Sequence, residues 1–133
     1  DPLLLPSLYP IGELSRFGIP LSFGSDGPVI PLEPWYGIYS AVTGLSRQGH
    51  PVIGPDDVTK REGVSLSEAL KAYSYGGALA EGTEHFKGHL KVGHVADMIL
   101  LRSNFTDADP IKWLETEVLL TMIGGQIVWE NPK

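Results

Sequence analysis

Apolar residues recur along the first half of the chain at the spacing of amphipathic helices. In Pro34–Leu45, the side chains of Trp35, Ile38 and Val42 fall on one helical face. A shorter apolar stretch, Ile11–Phe17, is followed by a glycine, which commonly stops a helix. Both stretches are therefore predicted to be helices, with Trp35 a core residue of the longer one.

A third helix is predicted from the signal at its start. Ser65-Leu66-Ser67-Glu68 has the pattern of a capping box, in which the serine hydroxyl accepts from the third amide and the glutamate reaches back. The pair Gly76-Gly77 is expected to weaken this helix further along. Its apolar face is predicted to comprise Leu66, Ala69, Leu70 and Tyr73.

One short strand is predicted within this helical half. Pro20–Gly24 has the composition of a buried strand, and it leads into the turn Ser25-Asp26-Gly27-Pro28. A strand followed by helices is typical of parallel-sheet or barrel architecture. A complete (β/α)₈ barrel needs about 250 residues. The 133 residues of this chain can therefore hold at most its last strand–helix units.

The C-terminal part is predicted to be a small β segment. Val95–Leu101 is apolar apart from Asp97, while Val118–Ile123 and Gln126–Trp129 flank Gly124-Gly125, a two-residue hairpin signal. We therefore predict an α/β fold in two parts, residues 1–86 with the helices and residues 87–133 with the β-strands.

Composition excludes several classes of function. Lys and Arg total 10 against 16 Asp and Glu, and an acidic chain does not suit a nucleic-acid partner. No apolar run reaches the length of a membrane span and no signal peptide is visible, so we expect a cytoplasmic protein. The absence of cysteine excludes disulfides, thiolate metal sites and cysteine nucleophiles. Because the chain starts at Asp1 and its first methionine is Met98, we expect it to be part of a longer protein.

Asp26 is the first candidate for chemistry. An acidic residue just past the end of a buried strand lies where barrel enzymes hold their catalytic groups. The alternative is purely structural, since Ser-Asp-Gly-Pro is also favourable turn chemistry without any function. Spacing alone favours the turn.

Histidines and tyrosines give weaker signals. His85 and His89 are four apart, as helical metal ligands can be, but Gly88 lies between them and solvated loop histidines are the favoured interpretation. Tyr36 and Tyr39 follow Asp26 closely enough to line a substrate pocket, and their role stays open.

Several segments together resemble one enzyme group. Residues 18–29, Gly-Ile-Pro-Leu-Ser-Phe-Gly-Ser-Asp-Gly-Pro-Val, are similar to the last barrel strand of the amidohydrolase superfamily, and closest to amidohydrolase family 3. Residues 32–34, 38–43, 65–73 and 87–101 resemble later segments of that family, and the hairpin Val118–Glu130 resembles its closing strands. These matches cover nearly the whole chain in the family's order, which makes the set specific.

The resemblance implies a fold and a chemistry. It implies the last units of a TIM-like (β/α)₈ barrel followed by a small β-sandwich segment, in a metal-dependent enzyme that hydrolyses C–N bonds of amide-type small molecules. Asp26 matches the family aspartate that binds the metal, expected to be zinc, and handles the proton of the metal-bound water. Asp97 matches a position in the β-sandwich, and we interpret it as structural, satisfying turn amides near Gly93.

Departures from the family limit what the chain can do alone. Gly44 stands where relatives often carry an arginine, which puts a substrate contact there in doubt. The family's paired histidines, its acidic or modified-lysine ligand and its later histidines match nothing here. Because catalytic zinc normally takes three protein ligands, we expect this chain alone to be inactive and to bind no metal tightly.

One further expectation follows from the missing strands. The strand Pro20–Gly24 and the apolar helix face from Trp35 to Val42 would lack their barrel neighbours, so a homo-oligomer is expected. The competing interpretation is a stand-alone structural or interaction module that carries no chemistry.

Overall fold

The computed structural model describes residues 8–52, 63–102, 104, 106 and 109–132. They form an α/β fold in which short helices precede a three-stranded antiparallel sheet. The elements are α1 (Ile11–Arg16), α2 (Pro34–Thr43), α3 (Leu66–Ala72), α4 (Tyr75–Ala80), β1 (Met98–Leu101), a 3₁₀ helix (Pro110–Glu115), β2 (Val118–Ile123) and β3 (Gln126–Glu130).

Helix α2 begins at Pro34, as its sequence predicts, but it ends at Thr43 and not at the predicted Leu45. Pro34 occupies the first turn, where its missing N–H costs no hydrogen bond. Gly44 closes the helix with a left-handed φ of 73°, and its N–H donates to the carbonyl of Ser40. The buried side chains are Trp35, Ile38, Tyr39 and Ala41. Val42, which was predicted to lie on the apolar face, is only half-buried, so the buried face is rotated toward Tyr39.

The capping box at the start of α3 is confirmed. The Glu68 amide donates to the Ser65 hydroxyl at 3.2 Å, and the Ser65 amide donates to the Glu68 carboxylate at 2.9 Å. The same carboxylate also accepts a hydrogen bond from the hydroxyl of Ser15 in α1. These hydroxyls, that of Ser15 above all, hold the pKa of Glu68 at about 2 against an ordinary 4.5. The cap therefore joins α1 to α3.

One core connects the helices with the C-terminal part. Ile38 and Ala69 are essentially inaccessible, and Trp113 of the 3₁₀ helix is 4% exposed in the same cluster. The prediction that the apolar face of α2 lacks a cover is thus wrong. Trp35 and Ile38 are buried in one cluster with Val64 and Trp113 of the same chain. The core includes residues on both sides of the 86/87 boundary, and the two-domain division stays a prediction.

The C-terminal strands form a sheet of order β1-β2-β3, antiparallel throughout, as the hairpin pattern predicts. Gly124 and Gly125 both have positive φ, 58° and 81°, which suits a two-residue turn that follows the twist of the strands. The Asp97 carboxylate accepts from the Gly124 amide at 2.7 Å. Asp97 thus serves a turn amide as expected, but in the β2–β3 hairpin and not near Gly93.

The predicted strand Pro20–Gly24 is wrong as a β-strand. The described part of the chain offers it no neighbouring strand, and its backbone hydrogen bond within that part runs to a helix end, from the Phe23 amide to the Ala72 carbonyl. The middle of the predicted loop Ser46–Gly63 lies outside the described residues. The described residues therefore show no strand of the barrel units implied by the resemblance.

Large apolar side chains remain exposed on the sheet. In β3 every residue is exposed, including Ile127, Val128 and Trp129. Among the residues described, none of the helices has both the length and the apolar character needed to cross a bilayer. The sheet thus presents apolar surface on the folded chain.

The Glu68 bridge generates a stability prediction. Because its pKa is lowered on folding, the carboxylate stabilises the fold above about pH 4.5, and this contribution is lost as the pH falls toward about 2. Ser15→Ala removes the largest cause of the lowered pKa, so its acid unfolding midpoint should lie at higher pH than that of the unmodified chain. Circular dichroism during acid titration measures this.

Ser65→Ala is the matched comparison, since it removes the cap hydroxyl itself. Loss of a serine N-cap costs about 1 kcal/mol, and this variant should be less stable at neutral pH as well. An acid midpoint unchanged in Ser15→Ala would contradict the link between α1 and α3.

Candidate active-site segment

The segment Pro20–Gly24, which leads to Asp26, lies against the α3–α4 pair. The Phe23 amide donates to the Ala72 carbonyl at 3.1 Å, and the Phe23 ring meets Tyr73 edge-on with centroids 5.7 Å apart. Leu21 and Phe23 are half-buried against the core, while Ser22 and Gly24 are exposed. This alternation is that of a strand with one covered face. The helices hold the segment without a sheet.

Gly76 in α4 permits a close backbone approach to this segment. A Cβ placed on Gly76 would lie 2.1 Å from the Leu21 carbonyl oxygen and 3.2 Å from the Ser22 Cα. Both are backbone atoms, which cannot swing aside as a side-chain tip can. The missing side chain of Gly76 therefore sets the distance between α4 and the segment that carries Asp26.

Asp26 begins the turn that follows. Its φ is +50°, a left-handed conformation that aspartate tolerates better than most residues. Its carbonyl accepts from the Val29 amide at 3.0 Å, which closes the turn, and the peptide bond between Gly27 and Pro28 is cis. The turn that the sequence predicts is confirmed. The carboxylate is exposed, and within the described ranges it has no hydrogen-bond or ion-pair partner.

A metal centre needs more donors than this segment offers. The described residues contain no group of three histidines or carboxylates placed to hold a metal ion. Asp26 can supply one oxygen ligand, whereas catalytic zinc takes three protein ligands. The described residues do not fit a complete metal centre, and no chemical step through a metal follows from them.

His85 and His89 lie in turns and not on one helix. The His85 ring packs edge-on against Phe86 at 4.9 Å, and the His89 ring lies 4.6 Å from that of Tyr75. Both histidines are exposed. Their rings therefore contact aromatic neighbours in the way that loop side chains do.

The tyrosines after Asp26 have separate environments. Tyr39 is 4% exposed and belongs to the buried face of α2, so it does not line an open surface. Tyr36 is half-buried, with the Arg47 guanidinium 5.5 Å from its ring centroid. The Tyr73 ring packs against the Phe23 ring, and partial burial raises the pKa of the Tyr73 hydroxyl. Of these, Tyr73 is the residue that contacts the Asp26 segment.

Gly76 and Tyr73 are the positioning residues that sequence reasoning missed. The pair Gly76-Gly77 carried a signal, because a glycine inside a helix often marks close packing as well as weakness. The break between the helices lies before this pair, at Ser74, whose backbone leaves helical geometry. The glycine pair alone does not indicate which segment packs against Gly76.

Several known proteins are similar in sequence to this chain. A sequence profile described as the amidohydrolase family matches residues 2–129. The amidohydrolase YtcJ of Bacillus subtilis (strain 168) is 35% identical over 114 residues, which are 86% of this chain and 21% of the relative. The N-substituted formamide deformylase of Arthrobacter pascens is 28% identical over 124 residues, 93% of this chain and 22% of the relative.

A plant relative aligns with a similar stretch. The protein LONG AFTER FAR-RED 3 of Arabidopsis thaliana is 31% identical over 106 residues, 80% of this chain and 17% of the relative. The chain therefore spans about a fifth of the length of the curated relatives that it matches. No solved structure matches it.

Neighbouring glycines provide a matched test of the close approach. Gly76→Ala should destabilise the chain by roughly 1–3 kcal/mol, because its methyl group would overlap the Leu21 backbone. Gly77→Ala should instead stabilise it by about 0.5–1 kcal/mol, because nothing lies within 4 Å and alanine favours the helix. Urea unfolding of both variants measures the difference. Equal effects of the two substitutions would show that α4 does not touch the segment.

Proposed function

Since the chain belongs to the amidohydrolase family, we propose that it is the C-terminal part of a metal-dependent hydrolase of C–N bonds, with Asp26 in the active site. In this proposal Asp26 is one ligand of a divalent metal, zinc, and carries a proton during hydrolysis. The remaining ligands come from polypeptide outside these residues. The chain alone is inactive and holds no metal tightly.

The environment of the Asp26 carboxylate is the observation that carries this proposal. It is exposed in the turn that follows a segment packed on α3 and α4. No side chain in the described part of the chain forms a hydrogen bond or an ion pair with it. A carboxylate held in this way can accept a proton from a nucleophilic water and then return it to a leaving amine. Asp97, in contrast, is engaged by Gly124.

The substrate class is inferred from the relatives. One of them is named for removing the formyl group from N-substituted formamides, which are small amides. We therefore propose an amide or cyclic amide of low molecular mass as substrate, in a cytoplasmic enzyme without a nucleic-acid partner. The acidic composition supports the last point, since the formal net charge is −6.

A stand-alone module is the second candidate, and one observation favours it. The helical core is closed within this chain, with Trp113 packed on Trp35 and Ile38. The exposed sheet argues against it, because Leu100, Ile123 and Val128 are each more than half exposed. Monomeric proteins rarely leave large contiguous apolar patches uncovered.

Substitution of Asp26 tests the proposed chemistry. In the full-length protein, Asp26→Asn should reduce hydrolysis of an amide substrate by about 100-fold or more, since positioned acid–base groups contribute at least that much. Glu13→Gln, which removes one carboxylate charge on exposed α1, should leave the rate unchanged. Metal content and thermal unfolding of each variant serve as controls. Normal turnover by a metal-loaded Asp26→Asn protein would refute the assignment.

The exposed sheet leads to a prediction for the chain on its own. The 133-residue chain should be a homodimer or larger at micromolar concentration, because burying a large apolar side chain contributes about 1.5–3 kcal/mol. Light scattering after size exclusion gives the mass. A clean monomer that unfolds cooperatively would contradict self-association and favour the stand-alone module.

A further inference from the structure

Two large aliphatic side chains lie exposed directly after Asp26. Val29 is 74% exposed and Leu32 is 77% exposed, in the loop that joins the Asp26 turn to α2. The core of the helices, built around Ile38 of α2, includes neither of them. Single exposed aliphatic side chains are common on protein surfaces. A pair in one short loop beside a candidate catalytic carboxylate calls for a functional or structural reason.

The backbone of the turn holds Val29 close to Asp26. The Val29 amide donates to the Asp26 carbonyl at 3.0 Å. A four-residue turn closed in this way brings its first and last Cα atoms within about 7 Å of each other. Both side chains are exposed, so a small molecule can reach them from solvent. Val29 therefore provides an apolar side chain near the carboxylate, at a distance that the turn fixes.

Leu32 folds back over the same turn. A Cβ placed on Gly27 would lie 2.8 Å from the Leu32 Cδ2 methyl, so this methyl occupies the space that a side chain at Gly27 would need. Gly27 has no left-handed φ, so the backbone itself does not require a glycine there. Since Gly27 directly follows Asp26, the Leu32 methyl lies within about 8 Å of the Asp26 Cα. The missing side chain of Gly27 thus lets Leu32 approach Asp26.

Charge near this pair is acidic. Glu33 follows Leu32, is exposed, and its side chain makes no cap bond to α2. Within the described ranges neither Glu33 nor Asp26 has an ion-pair partner. Two unpaired carboxylates raise the cost of placing an anion beside Val29 and Leu32. The pair therefore suits an uncharged apolar group, and a cationic group is the alternative that an experiment has to separate from it.

The proposed chemistry determines which side of the substrate faces this pair. A group that returns a proton to the leaving amine must come within hydrogen-bond reach of the amine nitrogen, about 2.6–3.2 Å. That nitrogen then lies at the Asp26 carboxylate, and its substituent extends into the surroundings of the Asp26 turn. Val29 and Leu32 are apolar parts of those surroundings. The acyl group lies on the other side of the nitrogen.

We propose that Val29 and Leu32 form an apolar wall that contacts the N-substituent of the substrate, so that the enzyme favours amides with an uncharged aliphatic or aromatic substituent on nitrogen. The inference rests on the proposed function in taking Asp26 as the group that protonates the leaving amine. Both residues determine specificity by contact and transfer no proton. Their substitution should therefore change selectivity among amides and leave the hydrolytic step itself intact.

Two nearly isosteric amides test the wall in the full-length protein. N-(3-methylbutyl)formamide ends in an uncharged branched group, whereas N-[2-(dimethylamino)ethyl]formamide carries a cation of the same shape. The unmodified protein should have a kcat/KM at least about tenfold higher for the uncharged amide, because a small apolar group in a pocket contributes about that much. Leu32→Ala should lower this ratio at least about fivefold. Val29→Thr, which keeps the shape of Val29 but adds a hydroxyl, should lower it as well.

Two further variants serve as controls. Leu32→Met keeps an apolar side chain of similar volume and should retain the ratio. Val92→Ala, at a fully exposed position in a turn of the C-terminal part, should leave it unchanged. NMR titration of full-length Asp26→Asn, with and without Leu32→Ala, gives the dissociation constants of both amides without turnover. Thermal unfolding of each variant shows whether the fold is kept.

Three results would overturn the wall. A ratio unchanged in both Leu32→Ala and Val29→Thr would show that neither side chain contacts the substituent. A preference of the unmodified protein for the cationic amide would show that Asp26 and Glu33, and not the apolar pair, select the substituent. Lower thermal stability of Leu32→Ala with an unchanged ratio would show that other polypeptide covers the pair. If neither amide is hydrolysed, the proposed function fails for such substrates, and the ratio of dissociation constants still decides on the wall.

Discussion

The contact between α4 and the segment Pro20–Gly24 determines where Asp26 lies. Gly76 has no side chain, and the Leu21 carbonyl occupies the space where a Cβ would be. On the same side, Phe23 donates to the end of α3 and packs on Tyr73. The segment is therefore held by helices, and no strand in the described part of the chain pairs with it. The turn that contains Asp26 thus starts from a fixed position.

The helices and the sheet differ in how far their apolar side chains are buried. The helices and the 3₁₀ helix bury a common core around Ile38, Ala69 and Trp113, which needs no partner. The sheet is different, because its outer strands β1 and β3 are rich in apolar side chains and remain largely exposed. The helical half of the described chain is thus closed, and the sheet is open. This agrees with relatives about five times its length.

Local signals predicted most of the elements. The capping box at Ser65 and the Gly124-Gly125 turn are short-range features, and both are present as expected. The end of α2 at Gly44 is also a short-range feature, but the helix was predicted to run to Leu45. Their energies depend on neighbours within a few residues, which the sequence displays directly. The left-handed turn at Asp26 belongs to the same class.

Long-range packing could not be predicted in this way. Nothing near Trp113 in the sequence indicates that it covers Trp35, so the face of α2 was expected to be open. The strand Pro20–Gly24 was inferred from composition, but a strand requires a hydrogen-bonding neighbour, which the described part of the chain lacks. The remaining metal ligands likewise could not be predicted, because Asp26 is a single carboxylate and the described residues contain no group of three possible ligands.

The most direct test of this account is a nuclear Overhauser measurement on the isolated chain, between the α protons of Gly76 and Ser22. A Cβ on Gly76 would lie 3.2 Å from the Ser22 Cα, so the two α protons should give a clear cross-peak. Chemical shifts across Pro20–Gly24 should also differ from those of an unfolded chain. Absence of the cross-peak together with unfolded-chain shifts would contradict the claim that the helices alone hold the Asp26 segment in place.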